Sequence, residues 1–172
     1  MIADGTGGFI LSWDDFRSSN YDVYAQRIRI DGSVSWAADG VGICAHSDQS
    51  SGSCLAPDGA GGAYVAWKDY RDSNFDVYVQ RVDSTGFVDF SFGGNVVCSE
   101  SSNQSNVNIG QDGYGGSIVS WYDPRDERSL YSQRVSPSGG MLWAADGETV
   151  VDLQVPYSYN NTNRPIPDIA GG

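Results

Sequence analysis

The chain has 172 residues, and its 22 acidic against 10 basic side chains leave a net charge of −12. A surface this negative repels phosphate backbones and anionic headgroups, which argues against nucleic acid or a membrane surface as a direct partner. No apolar run reaches the ~18 residues that a membrane span needs, and Met1-Ile2-Ala3-Asp4 lacks the features of a signal peptide, so export would require a leader ahead of it.

Read in order, the chain opens on Asp4-Gly5-Thr6-Gly7-Gly8, a polar turn that leads into a short apolar segment at 9–13 ending in Trp13. Both faces of that segment carry apolar or small residues, Ile10 and Ser12 on one and Leu11 and Trp13 on the other. Such a strand is packed on two sides. A polar turn follows, and Asp-Val-Tyr-Ala-Gln-Arg starts a second strand over 22–30. The Asp31-Gly32 turn leads to Trp36, a third strand falls near 41–45, and a shorter one at 53–56 precedes the next Asp-Gly.

The same order then comes back. Asp4, Asp58 and Asp112, with Trp13, Trp67 and Trp121 and with Arg17, Arg71 and Arg125, recur at a step of about 54 residues, the sign of one supersecondary unit copied and set side by side. Strands are expected at 63–67, 76–83 and 95–99 in the second copy, then at 107–110, 117–121, 129–136 and 149–153. No segment has helical periodicity. The repeats divide the chain at 1–56, 57–110 and 111–172, the last including a segment, 164–170, that has the pattern of a blade-opening strand.

Four-stranded antiparallel units of this length, buried on both faces, predict an all-β chain of three β-propeller blades. Trp13, Trp67 and Trp121 are all expected between blades. Because propellers need roughly four to eight blades, three imply either further blades on a longer chain or a partner. Two chains joined head to tail, exchanging the 166–170 strand, would give a six-bladed ring.

Asp31-Gly32-Ser33-Val34-Ser35-Trp36 and Ser138-Gly139-Gly140-Met141-Leu142-Trp143 resemble the Asp-box hairpin of sialidase-type propellers. With the Asp-Gly-x-Gly-Gly lead-in and the Trp-x-Asp strand end, all three repeats resemble bacterial neuraminidase-like repeats. Four steps separate Gly from Trp here where the Asp box has three, so the box is degenerate. The resemblance implies a propeller fold on an exported protein, extracellular or at the cell surface.

Candidate chemistry is sparse. Sialidases hold a carboxylate with three arginines, but Arg17, Arg71 and Arg125 are one position in successive repeats. Equivalent residues spread round a ring and do not converge, so pairing with Asp15, Asp69 and Asp123 is the expected role. Glu100, Glu127 and Glu148 lack the unique setting of a glycosidase carboxylate pair, and His46 beside Ser47 and Asp48 is no triad. The chain is not expected to be an enzyme.

Calcium is the one cofactor the sequence suggests. Asp69, Asp72, Asn74 and Asp76 place four oxygen-bearing side chains in eight residues, and Asp15, Asn20 and Asp22 nearly repeat them. The same residue types also build ordinary turns. Tyr157, Tyr159 and Asn160, in the least repeated stretch, are the candidate contacts for a carbohydrate or protein ligand. Cys44 and Cys98 occupy one repeat position, filled by Val151 in the third copy, and read as buried apolar thiols. The expected role is a non-catalytic scaffold or recognition module; the alternative that the resemblance implies is a fragment of a sialidase-like glycoside hydrolase propeller with its catalytic residues elsewhere.

Overall fold

The computed structural model describes residues 1–126 and 129–152. It is all-β, with three four-stranded sheets and, among the described residues, no α-helix. The first sheet contains β1 (Ile2–Ala3), β2 (Phe9–Asp15), β3 (Asp22–Ile28) and β4 (Val41–Cys44). The second contains β5 (Ser50–Pro57), β6 (Ala63–Asp69), β7 (Asp76–Val82) and β8 (Asn95–Cys98). The third contains β9 (Ser105–Gln111), β10 (Ser117–Asp123), β11 (Ser129–Val135) and β12 (Glu148–Asp152). Strand order follows chain order in every sheet and each neighbouring pair is antiparallel. The short segment before each repeated Asp-Gly pairs with the strand after it, so it opens the following sheet.

The lead-in aspartates explain how each opening hairpin holds its shape. Asp58 Oδ1 accepts the backbone N–H groups of Ala60 and Gly62, both at 2.8 Å, and Asp4 and Asp112 do the same in their sheets. The second carboxylate oxygen takes an arginine from the far end of the next strand: Arg27 on Asp4, Arg81 on Asp58, Arg134 on Asp112. The glutamine before each arginine spans the long connection to the fourth strand. Gln80 Oε1 accepts from Phe90 N and Nε2 donates to Ser91 O, as Gln26 and Gln133 do at their positions.

Two cores form between the sheets. Ile10, Val23, Ala25, Ile43 and Cys44 of the first sheet meet Ala63, Val65, Trp67, Tyr78 and Val82 of the second. Tyr64, Ala66, Val77, Val79 and Cys98, on the other face of the second sheet, meet Val119, Trp121, Tyr131 and Val135 of the third. The β6 and β7 strands are therefore buried on both faces, as their two-sided apolar pattern requires.

Trp67 and Trp121 are fully buried in these interfaces, but Trp13 is only half-buried. The expectation of three equivalent tryptophans is corrected here. Trp13 lies on the first-sheet face that carries Phe9 and Leu11, also half-buried, and neither internal core includes that face. The repeat sets the strand pattern, whereas burial depends on which sheet stands alongside.

Candidate functional site

The residues with chemical potential gather where β2 turns into β3, β6 into β7 and β10 into β11. In the second sheet the carboxylate of Asp69 accepts from Trp67 Nε1 at 3.0 Å, from Arg71 Nε at 2.8 Å and from Arg71 Nη2 at 2.7 Å. Ser50 Oγ adds a bond at 2.9 Å, and Cys44 Sγ, from the preceding sheet, lies 3.5 Å away. Arg71 also donates to Gly93 O and stacks 3.9 Å above the Tyr78 ring. The first and third sheets repeat the unit with Trp13, Asp15, Arg17 and Tyr24, and with Trp121, Asp123, Arg125 and Tyr131.

These contacts fix the charge states. Burial works to raise the Asp69 carboxyl, but hydrogen bonds from Arg71 and Trp67 outweigh it and hold it down at about 2. Hydrogen bonds from Arg17 and Trp13 hold Asp15 well below the carboxylate range. Burial pushes the Cys44 and Cys98 thiols up to about 12, so both are protonated at neutral pH and neither is a nucleophile. Three arginine–carboxylate pairs serve three sheets separately, so Arg17, Arg71 and Arg125 do not converge into one anion clamp.

The candidate calcium residues occupy the same hairpins, with their polar atoms directed elsewhere. Asp15 and Asp69 are held by arginine. Asn74 turns its amide nitrogen to Asp76 Oδ1 at 2.7 Å, and to the carbonyls of Glu100 and Ser102 at 3.0 and 3.2 Å. Asn20 donates likewise to Asp22 and to the carbonyls of His46 and Asp48. Asp72 Oδ2 lies 3.5 Å from the Tyr78 hydroxyl. The two asparagines thereby tether the loops that link one sheet to the next. Among the described residues no group of three or more His, Cys, Asp or Glu side chains is arranged to hold a metal ion.

Asp76 differs from its neighbours. Burial pushes its carboxyl up to about 6, and the negative charges of Asp72, Asp69 and Asp146 add to the rise against the Asn74 hydrogen bond. Ser129 stands at the equivalent register position opposite Asp123.

The other sequence candidates scatter. Ser47 Oγ donates to Asp48 and not to His46, so no triad forms. Glu100 faces Arg125 at 3.7 Å and Glu148 lies near Ala144 N, on different elements. Glu127, Tyr157, Tyr159 and Asn160 lie outside the described residues.

One surface feature was not anticipated. Phe16 and Tyr21, and likewise Tyr70 and Phe75, face each other across the hairpin turns with ring centroids 5.0 Å apart. Phe16 is 59% exposed, and Lys68 Nζ sits 4.5 Å over the Phe75 ring. The signal was an aromatic residue at each end of a six-residue turn, present in the first two repeats and hidden among the Asp and Asn beside it. Comparison with protein-family models, with curated proteins and with solved structures finds no match to the chain.

Proposed function

We propose that the chain is a run of three β-propeller blades acting as a non-catalytic scaffold or recognition module outside the cell. The radial layout is supported by the first strands of successive sheets, which lie against one another, β1 with β5 and β5 with β9. The observation that carries the functional reading is the identical use of Arg17, Arg71 and Arg125, each closed onto the aspartate of its own sheet. Groups spent this way stabilise the repeat and are not available to a substrate. The location outside the cell follows from the resemblance to neuraminidase-like repeats.

The hairpin end with its aromatic pairs is the surface best suited to a ligand, since exposed rings stack on sugars and on apolar side chains. The acidic charge favours a neutral or cationic ligand. Titration of a panel of neutral oligosaccharides, followed by tyrosine and tryptophan fluorescence, tests this role. Saturable binding that drops at least tenfold in Phe16→Ala/Tyr70→Ala supports it. Release of the fluorophore from a fluorogenic sialoside by the purified chain overturns the non-catalytic assignment.

A further inference from the structure

The first two hairpin turns are alike in their rings and opposite in charge at one position. Tyr21 and Phe75 are equivalent residues, each with a ring partner 5.0 Å away, Phe16 and Tyr70. The residue after the tryptophan of the preceding strand differs. It is Lys68 in the second sheet, opposite Val77, and Asp14 in the first, opposite Val23 at the same register position. Lys68 lays its ammonium over the Phe75 ring at 4.5 Å. Asp14 offers a carboxylate instead, and among the described residues no cation lies over Tyr21, which is 45% exposed.

The opening strand of the second sheet holds Tyr21 and Asp14 side by side. Ser50 N donates to Tyr21 O at 2.7 Å, and Gly52 N donates to Asp14 Oδ2 at 3.0 Å and to Oδ1 at 3.2 Å. Asp14 is exposed, and among the described residues no basic side chain pairs with it. Lys68 runs past Gly52, its Cε 3.6 Å from where a Cβ would stand, and still carries its charge on to Phe75.

We propose that Phe16, Tyr21 and Asp14 form a seat for an alkylammonium group, the lysine side chain of a partner protein. A ring face attracts a cation through its quadrupole, and in the second sheet the chain supplies that cation itself. In the first sheet it supplies the counter-charge in the cation's place, so ring and carboxylate both act on a cation arriving from outside. Lysine is the occupant because it is the side chain this sequence lays on the equivalent ring. The net charge of −12 draws a basic partner toward the whole molecule, whereas the ring and the carboxylate select one place on it. This ligand class rests on the hairpin end being the ligand surface proposed above.

An acetylated and amidated Gly-Ser-Lys-Ser-Gly peptide, titrated into the isotope-labelled full chain at physiological salt and followed by nuclear magnetic resonance, tests the seat. The same peptide with norleucine for lysine is its neutral counterpart. Saturable shifts of the Tyr21 ring and Asp14 carboxyl signals are expected with lysine and not with norleucine. Tyr21→Leu keeps every charge, and Asp14→Asn keeps an acceptor for Gly52 N. Both positions are exposed, so both variants are expected to retain the parent's circular-dichroism spectrum. Each is expected to weaken binding about three- to fivefold, the size of one exposed cation–π contact or ion pair. Lys68→Asp gives the second sheet the arrangement of the first, and the number of lysine sites is expected to rise from one to two. Asp14→Lys fills the seat from within and is expected to remove the site. Equal shifts from the norleucine peptide, no saturable shift at all, or binding that Tyr21→Leu leaves unchanged overturns the ammonium assignment. If neutral oligosaccharides then still bind through the rings, the ligand surface stands without it; if they do not, the surface falls as well.

Discussion

The indole of Trp67 rests edge-on against Gly94, so that a Cβ added to that glycine would lie 2.4 Å from Cη2 and 2.9 Å from Cζ2. Gly94 also has a φ of +86°, a conformation that side chains resist. Trp13 with Gly40 and Trp121 with Gly147 repeat the arrangement at 2.5 Å. A ring fully buried on one side therefore depends on the absence of a methyl group on the other. Gly94→Ala combines backbone strain with overpacking and is expected to cost about 2–4 kcal/mol. Gly5→Ala, at a φ of +78° with nothing within 4 Å, carries the backbone part alone and is expected to cost about 1 kcal/mol. Urea denaturation of the two variants measures the difference, and equal midpoints would remove the steric contact from the account.

The tryptophans themselves should separate by sheet. Trp67→Ala and Trp121→Ala each empty a closed interface and are expected to cost about 3–5 kcal/mol. Trp13→Ala removes a half-buried ring, stacked on Tyr24 at 6.2 Å, and is expected to cost about 1–2 kcal/mol in dilute solution. A Trp13 cost that matches the other two at low protein concentration would show that its face is already covered within one chain.

Much of this architecture was legible because turn chemistry and strand alternation are local. Asp-Gly-x-Gly-Gly, the two-faced strand and the Trp-x-Asp-x-Arg end each specify contacts within a single sheet, and the Asp15–Arg17, Asp69–Arg71 and Asp123–Arg125 pairs form as their spacing suggests. What was not legible depends on neighbours. Trp13 and Trp67 have the same sequence surroundings, and only the presence of a sheet alongside makes one buried and the other half-exposed. Asp69 and Asp76 look alike as oxygen donors, yet one accepts an arginine fork and the other is buried beside like charges. The contact of Trp36 with Gly86 joins residues fifty positions apart in different sheets, and no periodicity within one repeat reveals it.

Those two carboxylates also give opposite pH dependences. Asp76 binds its proton more tightly folded than unfolded, so its contribution is fully present below about pH 4 and is lost as pH rises through about 6. Asp69 is the reverse: its contribution is present above about pH 4 and is lost as pH falls through about 2. Asp76→Asn removes the ionised, buried charge while retaining an oxygen for Asn74, and Ser129 shows that this sequence already places a neutral residue at the equivalent position. The variant is expected to be about 1–2 kcal/mol more stable than the parent at pH 8, after allowance for solvent screening, and equal to it near pH 4. Urea midpoints across that range check it. A gain that persists unchanged at pH 4 would show that the carboxylate charge is not its cause.

Whether the Asp69–Asp76 hairpin is a calcium loop or a tethered turn comes down to Asn74. As a tether, Asn74 works through its N–H groups, which hold the Glu100 and Ser102 carbonyls and the Asp76 carboxylate. As a calcium ligand it would work through oxygen, and a carboxylate in its place would strengthen the site. Asn74→Asp therefore pulls the two readings apart. Aspartate has no donor for the two carbonyls and sets a second negative charge against Asp76, so the variant is expected to lose about 1.5–3 kcal/mol, the cost of stranding buried polar groups. The parent is expected to melt at one temperature in excess EDTA and in millimolar calcium, since a ligand stabilises only what binds it. An Asn74→Asp chain that gains several degrees on adding calcium would place the ion in this hairpin and displace the tether as its reason for being acidic.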